Sequence, residues 1–274
     1  MKDIAVYTES ISAWPWHVSY AAQIAAAFGA NLTGVCVCPS PQTALPSFDA
    51  PGFIVEWADQ FREFMEQAVK AEPGFLAEAR KHGVEHAAWQ VAQGYVPECL
   101  GMASNWHDLL VLGCDVAATW GSPAGVGDIM LGCDKPCLIV PTVHGKSFAL
   151  DCIAVAWDGS MCALRAAHAA LPLLMRASRV ILLTNGSAHS ALDSWQPSFD
   201  VSRYLKLHGI TPQPQLVTEH GKGIGDDLLQ AATQVQADLL VMGGYGHSRL
   251  RERMLGGATR EVLAQTTLPV WMHH

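Results

Sequence analysis

The chain has 274 residues, which is enough for one large domain or two domains of ordinary size. Half of the residues are apolar and only 15% are charged, so the chain can bury substantial hydrophobic cores. The formal net charge of −8 argues against a general nucleic-acid-binding protein, but it does not exclude a small anionic ligand held by a local site.

The beginning of the chain, MKDIAVYTES, does not have the form of a secretory signal, and no apolar run approaches the length of a membrane span. We therefore expect a cytoplasmic protein that does not interact with a membrane. The eight cysteines are then expected to be reduced thiols rather than disulfides. No spacing among them is diagnostic of a metal site, so we assign no metal ligands.

The first half of the chain alternates predicted strands and helices. Apolar runs predict strands at 4–7, 32–37, 87–91, 109–112 and 138–140. Helices are predicted at 16–28, 55–82 and 97–105. Pro73 is a potential break in the long helix, and the Pro/Ser-rich stretch 39–51 is a predicted loop.

The second half repeats this order, which is the main organisational feature of the chain. Strands are predicted at 152–157, 180–183, 215–217, 239–242 and 269–272, and helices at 163–175, 199–208, 225–234 and 260–263. The repeat is direct, because DLLVLG at 108–113 returns as DLLVMG at 238–243. Alternating strands and helices predict a doubly wound parallel sheet in each half. We expect two tandem α/β domains, at 1–144 and 149–274, with a linker at 142–148.

The stretch 238–263, DLLVMGGYGHSRLRERMLGGATREVL, has the features of an anion-binding loop between a strand and a helix. Three of its glycines, Gly243, Gly246 and Gly256, have the spacing Gly-x2-Gly-x9-Gly. Glycines let backbone N–H groups approach an anion without interference from a Cβ atom. The N–H groups of the following helix add partial positive charge. This pattern indicates a phosphate cradle, and a tight turn without a ligand is the alternative.

The glycine spacing, the turn Asp158-Gly159-Ser160 and the order of elements together resemble tandem-domain bacterial universal stress proteins. The resemblance covers nearly the whole chain and is strongest in its second half. It implies a fold similar to the adenine-nucleotide alpha hydrolases, with strand order 3-2-1-4-5 in each domain. It also implies a role in stress response or regulation, with ATP or a related adenine nucleotide at the carboxyl edge of the sheet, where the strand order reverses.

The resemblance further implies a nucleotide site in the second half, built from Asp158, Gly159, Ser160, Thr184, Gly243, Gly246, His247, Gly256, Gly257 and Thr259. Asp158 would lie near adenine and ribose, and its alternative role is that of a turn or helix N-cap aspartate. Thr184 would lie near the adenine pocket, with a buried structural threonine as the alternative. Thr259 would place a hydroxyl near the phosphates or serve as a helix N-cap.

Three positions of this stretch leave its phosphate contacts open. His247 and Ser248 would either touch phosphate or be solvated. Gly257 occupies the position where the family usually has a serine or threonine, so one phosphate contact would depend on its backbone N–H.

The first half departs from the motif. The residues Thr8-Glu9-Ser10 stand where the second half has Asp158-Gly159-Ser160, and Val116 occupies the position equivalent to Gly246. A β-branched valine and the nearby Trp120 cannot cradle a phosphate as glycines do. We predict a degenerate site that is either filled by side chains or open to a different ligand.

No catalytic motif accompanies the cradle, since G-x-S-x-G, H-E-x-x-H and the Walker lysine motif are missing from the sequence. The sequence therefore favours a nucleotide-binding protein that is at most a slow ATPase. A structural or interaction module of the same fold that binds no nucleotide is the first alternative. A nucleotide-dependent transferase of the related adenine-binding superfamily is the second.

The last predicted strand of each half is short, apolar and at a sheet edge. Exposed edges of this kind tend to pair with another strand. We therefore expect 138–140 to pair with 270–272 within one chain, which would give an intramolecular pseudo-dimer. This reasoning permits a homodimer of whole chains but does not require it.

Overall fold

The structure is a computed structural model that describes residues 1–38, 51–185, 200–221, 223–244 and 257–274, with the backbone alone for 51–58. It contains two compact units, one formed by Met1–Gly121 and Gly125–Ser147, the other by Ser122–Ala124 and Phe148–His274. No helix of the described residues is long and apolar enough to cross a bilayer.

The first unit is a five-stranded parallel sheet with helices between its strands. The strands are β1 (Asp3–Tyr7), β2 (Asn31–Cys38), β3 (Ala87–Gln93), β4 (Leu109–Cys114) and β5 (Cys137–Pro141). The helices are α1 (Trp16–Phe28), α2 (Pro51–Lys70), α3 (Glu72–Lys81), α4 (Val96–Ser104) and α5 (Pro123–Leu131). The strand order is β3-β2-β1-β4-β5, as the resemblance implied.

The second unit has the same plan. Its strands are β6 (Cys152–Ala156), β7 (Arg179–Thr184), β8 (Gln213–Leu216), β9 (Leu239–Gly243) and β10 (Val270–His273). Its helices are α6 (Met161–Ala169), α7 (Leu171–Leu174), α8 (Val201–Leu207), α9 (Ile224–Gln234) and α10 (Gly257–Gln265). The order β8-β7-β6-β9-β10 is again 3-2-1-4-5, so the predicted α/β class and topology are confirmed.

The central strands are apolar on both faces because helices cover both sides of a doubly wound sheet. Ile4, Ala5 and Val6 of β1 are fully buried, and so are the equivalent Ile153, Ala154 and Val155 of β6. The edge strand β8 is largely exposed, which explains why its sequence is a weak strand signal.

The aspartate that begins each DLLV repeat has a structural role. Asp108 Oδ2 accepts hydrogen bonds from the backbone N–H groups of Lys2 and Asp3. Burial alone would raise the pKa of Asp108, but these donors hold it below its usual value. In the second unit, Asp238 Oδ2 accepts from the Cys152 N–H at 2.9 Å. Each aspartate therefore fastens the fourth strand of its unit to the beginning of the first.

The helices differ from the prediction at three places. The predicted helix at 55–82 is two helices that separate at Ala71, and Pro73 lies in the first turn of α3, where its missing N–H costs nothing. The predicted helix at 163–175 is likewise divided at Ala170, before Pro172 in α7. Helix α5 was not predicted, because its nine residues include a proline and two glycines.

Candidate functional site

A cavity of about 430 Å³ opens in the second unit at the carboxyl ends of β6, β7 and β9. This is where the strand order of the sheet reverses, and connections that leave in opposite directions create a crevice there. The volume lies within the range of pockets that hold small organic ligands. The topology therefore places a ligand-sized cavity at the edge of the sheet that the sequence predicted.

One wall of the cavity is apolar. Ala156, Leu183 and Met242 lie at the ends of three adjacent strands. The wall is completed by Val217, which follows β8, and by Ile224 and Leu228 of α9. The sequence analysis did not assign these residues to the site. Ala156, Leu183 and Met242 could have been identified from the sequence, because they lie at or near the ends of predicted strands.

The turn after β6 is held by two polar side chains that line the cavity. Asp158 Oδ1 accepts a hydrogen bond from the Ser160 N–H at 2.9 Å. Ser160 is the N-cap of α6, because its Oγ accepts from the Ala163 N–H at 3.1 Å. Gly159 has a φ of 77°, a conformation that favours glycine, and it does not itself line the cavity.

Gly243, at the end of β9, allows the first turn of α6 to pack closely against the sheet. A Cβ atom at this position would lie 2.5 Å from the Ala163 backbone nitrogen and 2.7 Å from the Cys162 carbonyl carbon. Both atoms belong to the backbone and cannot turn aside. The glycine is therefore required by helix–strand packing at the base of the cavity.

The first turn of α10 forms the opposite side of the cavity, through Gly257, Ala258 and Thr259. Thr259 is the third residue of the helix and is 4% exposed, so it is not the N-cap. The first N–H groups of a helix lack partners within the helix and carry partial positive charge. This side of the cavity therefore suits an anionic group.

The neighbouring helix α9 has a different environment at its beginning. Glu261 of α10 accepts a hydrogen bond from the Gly225 N–H at 2.9 Å. A Cβ atom on Gly223 would lie only 2.5 Å from this carboxylate, so the approach depends on glycine. Glu261 of α10 thus caps the beginning of α9 with a carboxylate.

A buried aspartate fixes the segment between β8 and α9, which contributes to the apolar wall. Asp227 is 4% exposed, and its Oδ1 accepts from the His220 N–H at 2.9 Å and lies 3.1 Å from His220 Nδ1. Because both contacts are to the same residue, the carboxylate holds the loop that leads from Val217 to Ile224.

The structure brings five of the predicted site residues together around one cavity: Asp158, Ser160, Gly243, Gly257 and Thr259. Thr184 does not line it; its carbonyl accepts from the Val217 N–H at 2.8 Å, which extends the pairing of β7 and β8. Gly246, His247, Ser248 and Gly256 lie outside the described residues, as does the basic segment at 249–253.

The strand register defines the equivalent positions in the first unit. Ile4 pairs with Leu109, and Ile153 pairs with Leu239, at the same point of the repeated DLLV motif. Five residues further along, Glu9 is therefore equivalent to Asp158. This corrects by one residue the alignment inferred from the sequence, which had placed Thr8 there. The same register makes Tyr7 equivalent to Ala156, so a phenol ring stands where the second unit has a methyl group.

His17 fills further space in the first unit. A Cβ atom on Gly113, the residue equivalent to Gly243, would lie 2.5 Å from His17 Nδ1. The imidazole is 9% exposed, and its Nε2 donates to the Tyr7 carbonyl at 2.9 Å. Burial lowers the pKa of His17 to about 4, so the ring is neutral at neutral pH. The His17 side chain thus packs against the end of β4 in the first unit, whereas the backbone of α6 packs against the equivalent Gly243 in the second.

No cluster of three or more metal-ligating side chains occurs among the residues that the structure describes. All eight cysteines are free.

Comparison with known proteins agrees with this architecture. Residues 151–274 match the universal stress protein family. Universal stress protein Slr1230 of Synechocystis is 24% identical to the chain, and the match covers 98% of this chain and 99% of that protein. The second half of the chain therefore matches the universal stress protein family, and the whole chain is similar to a named member of it, as the sequence motifs indicated.

Two solved structures are similar in fold over the same length. A universal stress protein from Archaeoglobus fulgidus superimposes with a TM-score of 0.69 at 15% identity, covering 98% of this chain and 94% of that one. A functionally unknown protein from Pseudomonas aeruginosa PAO1 gives a TM-score of 0.56 at 14% identity, covering 98% and 91%. These likenesses extend the shared fold to both units.

Proposed function

We propose that the second unit binds an adenine nucleotide, ATP or a close relative, and that the protein acts in stress response or regulation. This proposal rests on one observation, which is the cavity at the point where the strand order of the sheet reverses. It combines an apolar wall, a carboxylate at Asp158 and the beginning of α10. A nucleotide has the matching parts, which are a flat base, a ribose with hydroxyl donors and an anionic phosphate chain.

Each part of the nucleotide has a candidate partner. The base would pack against Leu183, Val217 and Met242, where burial of apolar surface supplies the affinity. The Asp158 carboxylate would accept hydrogen bonds from ribose hydroxyls. The phosphates would lie at the beginning of α10, beside the predicted glycine loop.

The distribution of charge around the cavity implies that the phosphates of a nucleotide would be bound mainly by backbone N–H groups. Among the described residues that line the cavity, Asp158 is the only charged side chain. The net charge of −8 gives no general attraction for an anion. Phosphate binding would therefore rest on the N–H groups of Gly257 to Thr259 and on the predicted loop, with its Gly246, His247 and basic segment.

The site favours binding over catalysis. The nearby His220 is engaged with Asp227 and does not line the cavity. Asp158 accepts a bond from its own turn, and among the described lining residues no other side chain is a candidate general base. Slow hydrolysis is the most activity that we propose, and a cytoplasmic location stays a prediction.

Replacement of Ala156 by tyrosine tests the proposal, because it gives the second unit the residue that Tyr7 supplies in the first. The ring would fill the base pocket, and we expect the affinity for ATP to fall by about a hundredfold or more, which is about 2.7 kcal/mol. Isothermal titration of ATP into parent and variant measures the change.

Ala264→Tyr is the matched control, since Ala264 is exposed on α10 and does not line the cavity. Circular dichroism of both variants checks that the fold is kept. Equal ATP affinity in Ala156→Tyr and the parent would refute the assignment of the cavity. A parent protein that binds no adenine nucleotide would favour the interaction module instead.

A further inference from the structure

The first unit has its own cavity, of about 510 Å³, at the carboxyl ends of β1 and β2. It thus lies at the edge of the sheet that corresponds to the nucleotide cavity of the second unit. Its aromatic lining residues are Tyr7, Phe61, Phe64 and Trp120, and its polar ones include Glu9 and Gln60. The sequence is compatible with a site filled by side chains or with a site for a different ligand. The presence of a cavity favours the second alternative.

The loop after β4 is unsuited to cradle a phosphate, because three of its N–H groups are bonded within the loop. The Asp115 N–H donates to the Gly121 carbonyl at 3.0 Å, and the Ala118 N–H donates to the Asp115 carbonyl at 3.0 Å. The Ala117 N–H donates to Asp115 Oδ1 at 2.9 Å. An anion would have to displace these bonds and approach the Asp115 carboxylate, which would repel it.

Packing of α5 holds the loop in this closed form. A Cβ atom on Gly125 would lie 2.2 Å from the Thr119 carbonyl oxygen and 2.7 Å from Trp120 Cα, so the helix rests directly on the loop backbone. The Trp120 ring also packs edge to face against Tyr95, with the ring centroids 5.5 Å apart. Tyr95 therefore holds the indole ring at the cavity, while α5 holds the backbone of the loop at Trp120.

The carboxylate of Glu9 is the only charged side chain among the described residues that line this cavity. Its Oε1 accepts a hydrogen bond from the Tyr7 hydroxyl at 3.1 Å, which orients the carboxylate beside the aromatic rings. No ion pair joins Glu9 to a basic side chain of the described residues. Among the described residues, the cavity is thus lined by one negatively charged side chain and four aromatic side chains.

We propose that this cavity binds a small organic cation, with an ammonium group at Glu9 and an apolar body against Phe61, Phe64 and Trp120. A carboxylate forms a charge-assisted hydrogen bond with an ammonium group, and aromatic faces attract the same charge. The apolar body gains from burial against the rings. The proposal does not depend on nucleotide binding in the second unit.

Three probes of similar size and different charge test the proposal on the full chain with ATP present in excess. They are 2-phenylethylammonium, the neutral 2-phenylethanol and the anionic 3-phenylpropanoate. Isothermal titration is expected to show that the cation binds about tenfold more tightly than the alcohol, and that the anion binds more weakly than both. Equal binding of the three probes, or no binding of the cation, would overturn the proposal.

Glu9→Gln removes the charge and keeps the shape of the side chain. We expect it to reduce the advantage of the cation over the alcohol from about tenfold to nearly none, with little effect on the alcohol itself. Glu63→Gln is the matched control, because it makes the same change at an exposed position of α2. A cation preference that persists in Glu9→Gln would contradict the assignment. Titration of ATP into the same variant separates this result from the nucleotide proposal.

Discussion

Gly243→Ala is expected to destabilise the second unit and to abolish ATP binding, although it adds a single methyl group. The new Cβ atom would lie 2.5 Å from the Ala163 nitrogen, where no side chain can move aside. Overpacking against backbone costs about 1–3 kcal/mol or more, and the only relief is a shift of α6 relative to β9. That shift would displace Ser160 and Asp158, which line the cavity.

The matched substitution is Gly257→Ala, at another glycine of the same cavity. Among the described residues, the nearest atom to its Cβ would be Glu261 Oε1 at 4.0 Å, and the residue lies in a helix. We expect this variant to keep the packing of α6 on the sheet and to gain up to about 0.5–1 kcal/mol in stability, because alanine favours helix over glycine. Urea unfolding and ATP titration compare the two variants. If both behave alike, steric packing at Gly243 is not what shapes the cavity.

The stability of the first unit is expected to fall by about 3 kcal/mol between pH 6.5 and pH 4 through His17 alone. The folded unit holds this imidazole neutral, with a pKa of about 4, whereas the unfolded chain has the ordinary value of 6.5. The unfolded state therefore binds a proton more readily. The stabilisation is complete above pH 6.5 and is lost as the pH falls towards 4.

His17→Gln should make this dependence shallower, because glutamine can still donate to the Tyr7 carbonyl and does not titrate. Denaturant unfolding at pH 7 and pH 4.5 measures the difference between parent and variant. His86→Gln, at an exposed histidine, is the control. An identical pH dependence in the parent and in His17→Gln would show that the buried imidazole does not contribute.

The strands were largely predictable because each central strand is buried on both faces and therefore reads as an apolar run. Helix boundaries were harder to predict. The divisions at Ala71 and Ala170 fall near Pro73 and Pro172, but a proline is tolerated in the first turn of a helix and does not mark where the preceding helix ends. Helix α5 was not predicted because its residues have a low intrinsic helix propensity. Close packing of Gly125 against the loop backbone accompanies its formation instead.

The site was predictable only where local motifs form it. Asp158 and Gly243 were identified from a turn and a glycine spacing, and both line the cavity. The apolar wall comes from strands far apart in the chain, and only the sheet topology makes them neighbours. The equivalence of Glu9 and Asp158 likewise required the pairing register, since a sequence comparison of short turns does not exclude a shift of one residue.

The repeated units show how one fold supports two kinds of site. In the second unit, the small Ala156 leaves room for a ligand and α10 begins beside it. In the first unit, Tyr7 stands at the position of Ala156, and the loop at Asp115 is bonded to itself. These differences change local space and charge while the sheet order stays the same.

The number of ATP molecules bound per chain tests this account most directly. Isothermal titration of purified protein, checked by native mass spectrometry, should give one ATP per chain, and Ala156→Tyr should reduce this number to none. Two ATP molecules per chain would contradict the reading of the first unit as closed to phosphate. No ATP bound to the parent protein would contradict the nucleotide site itself.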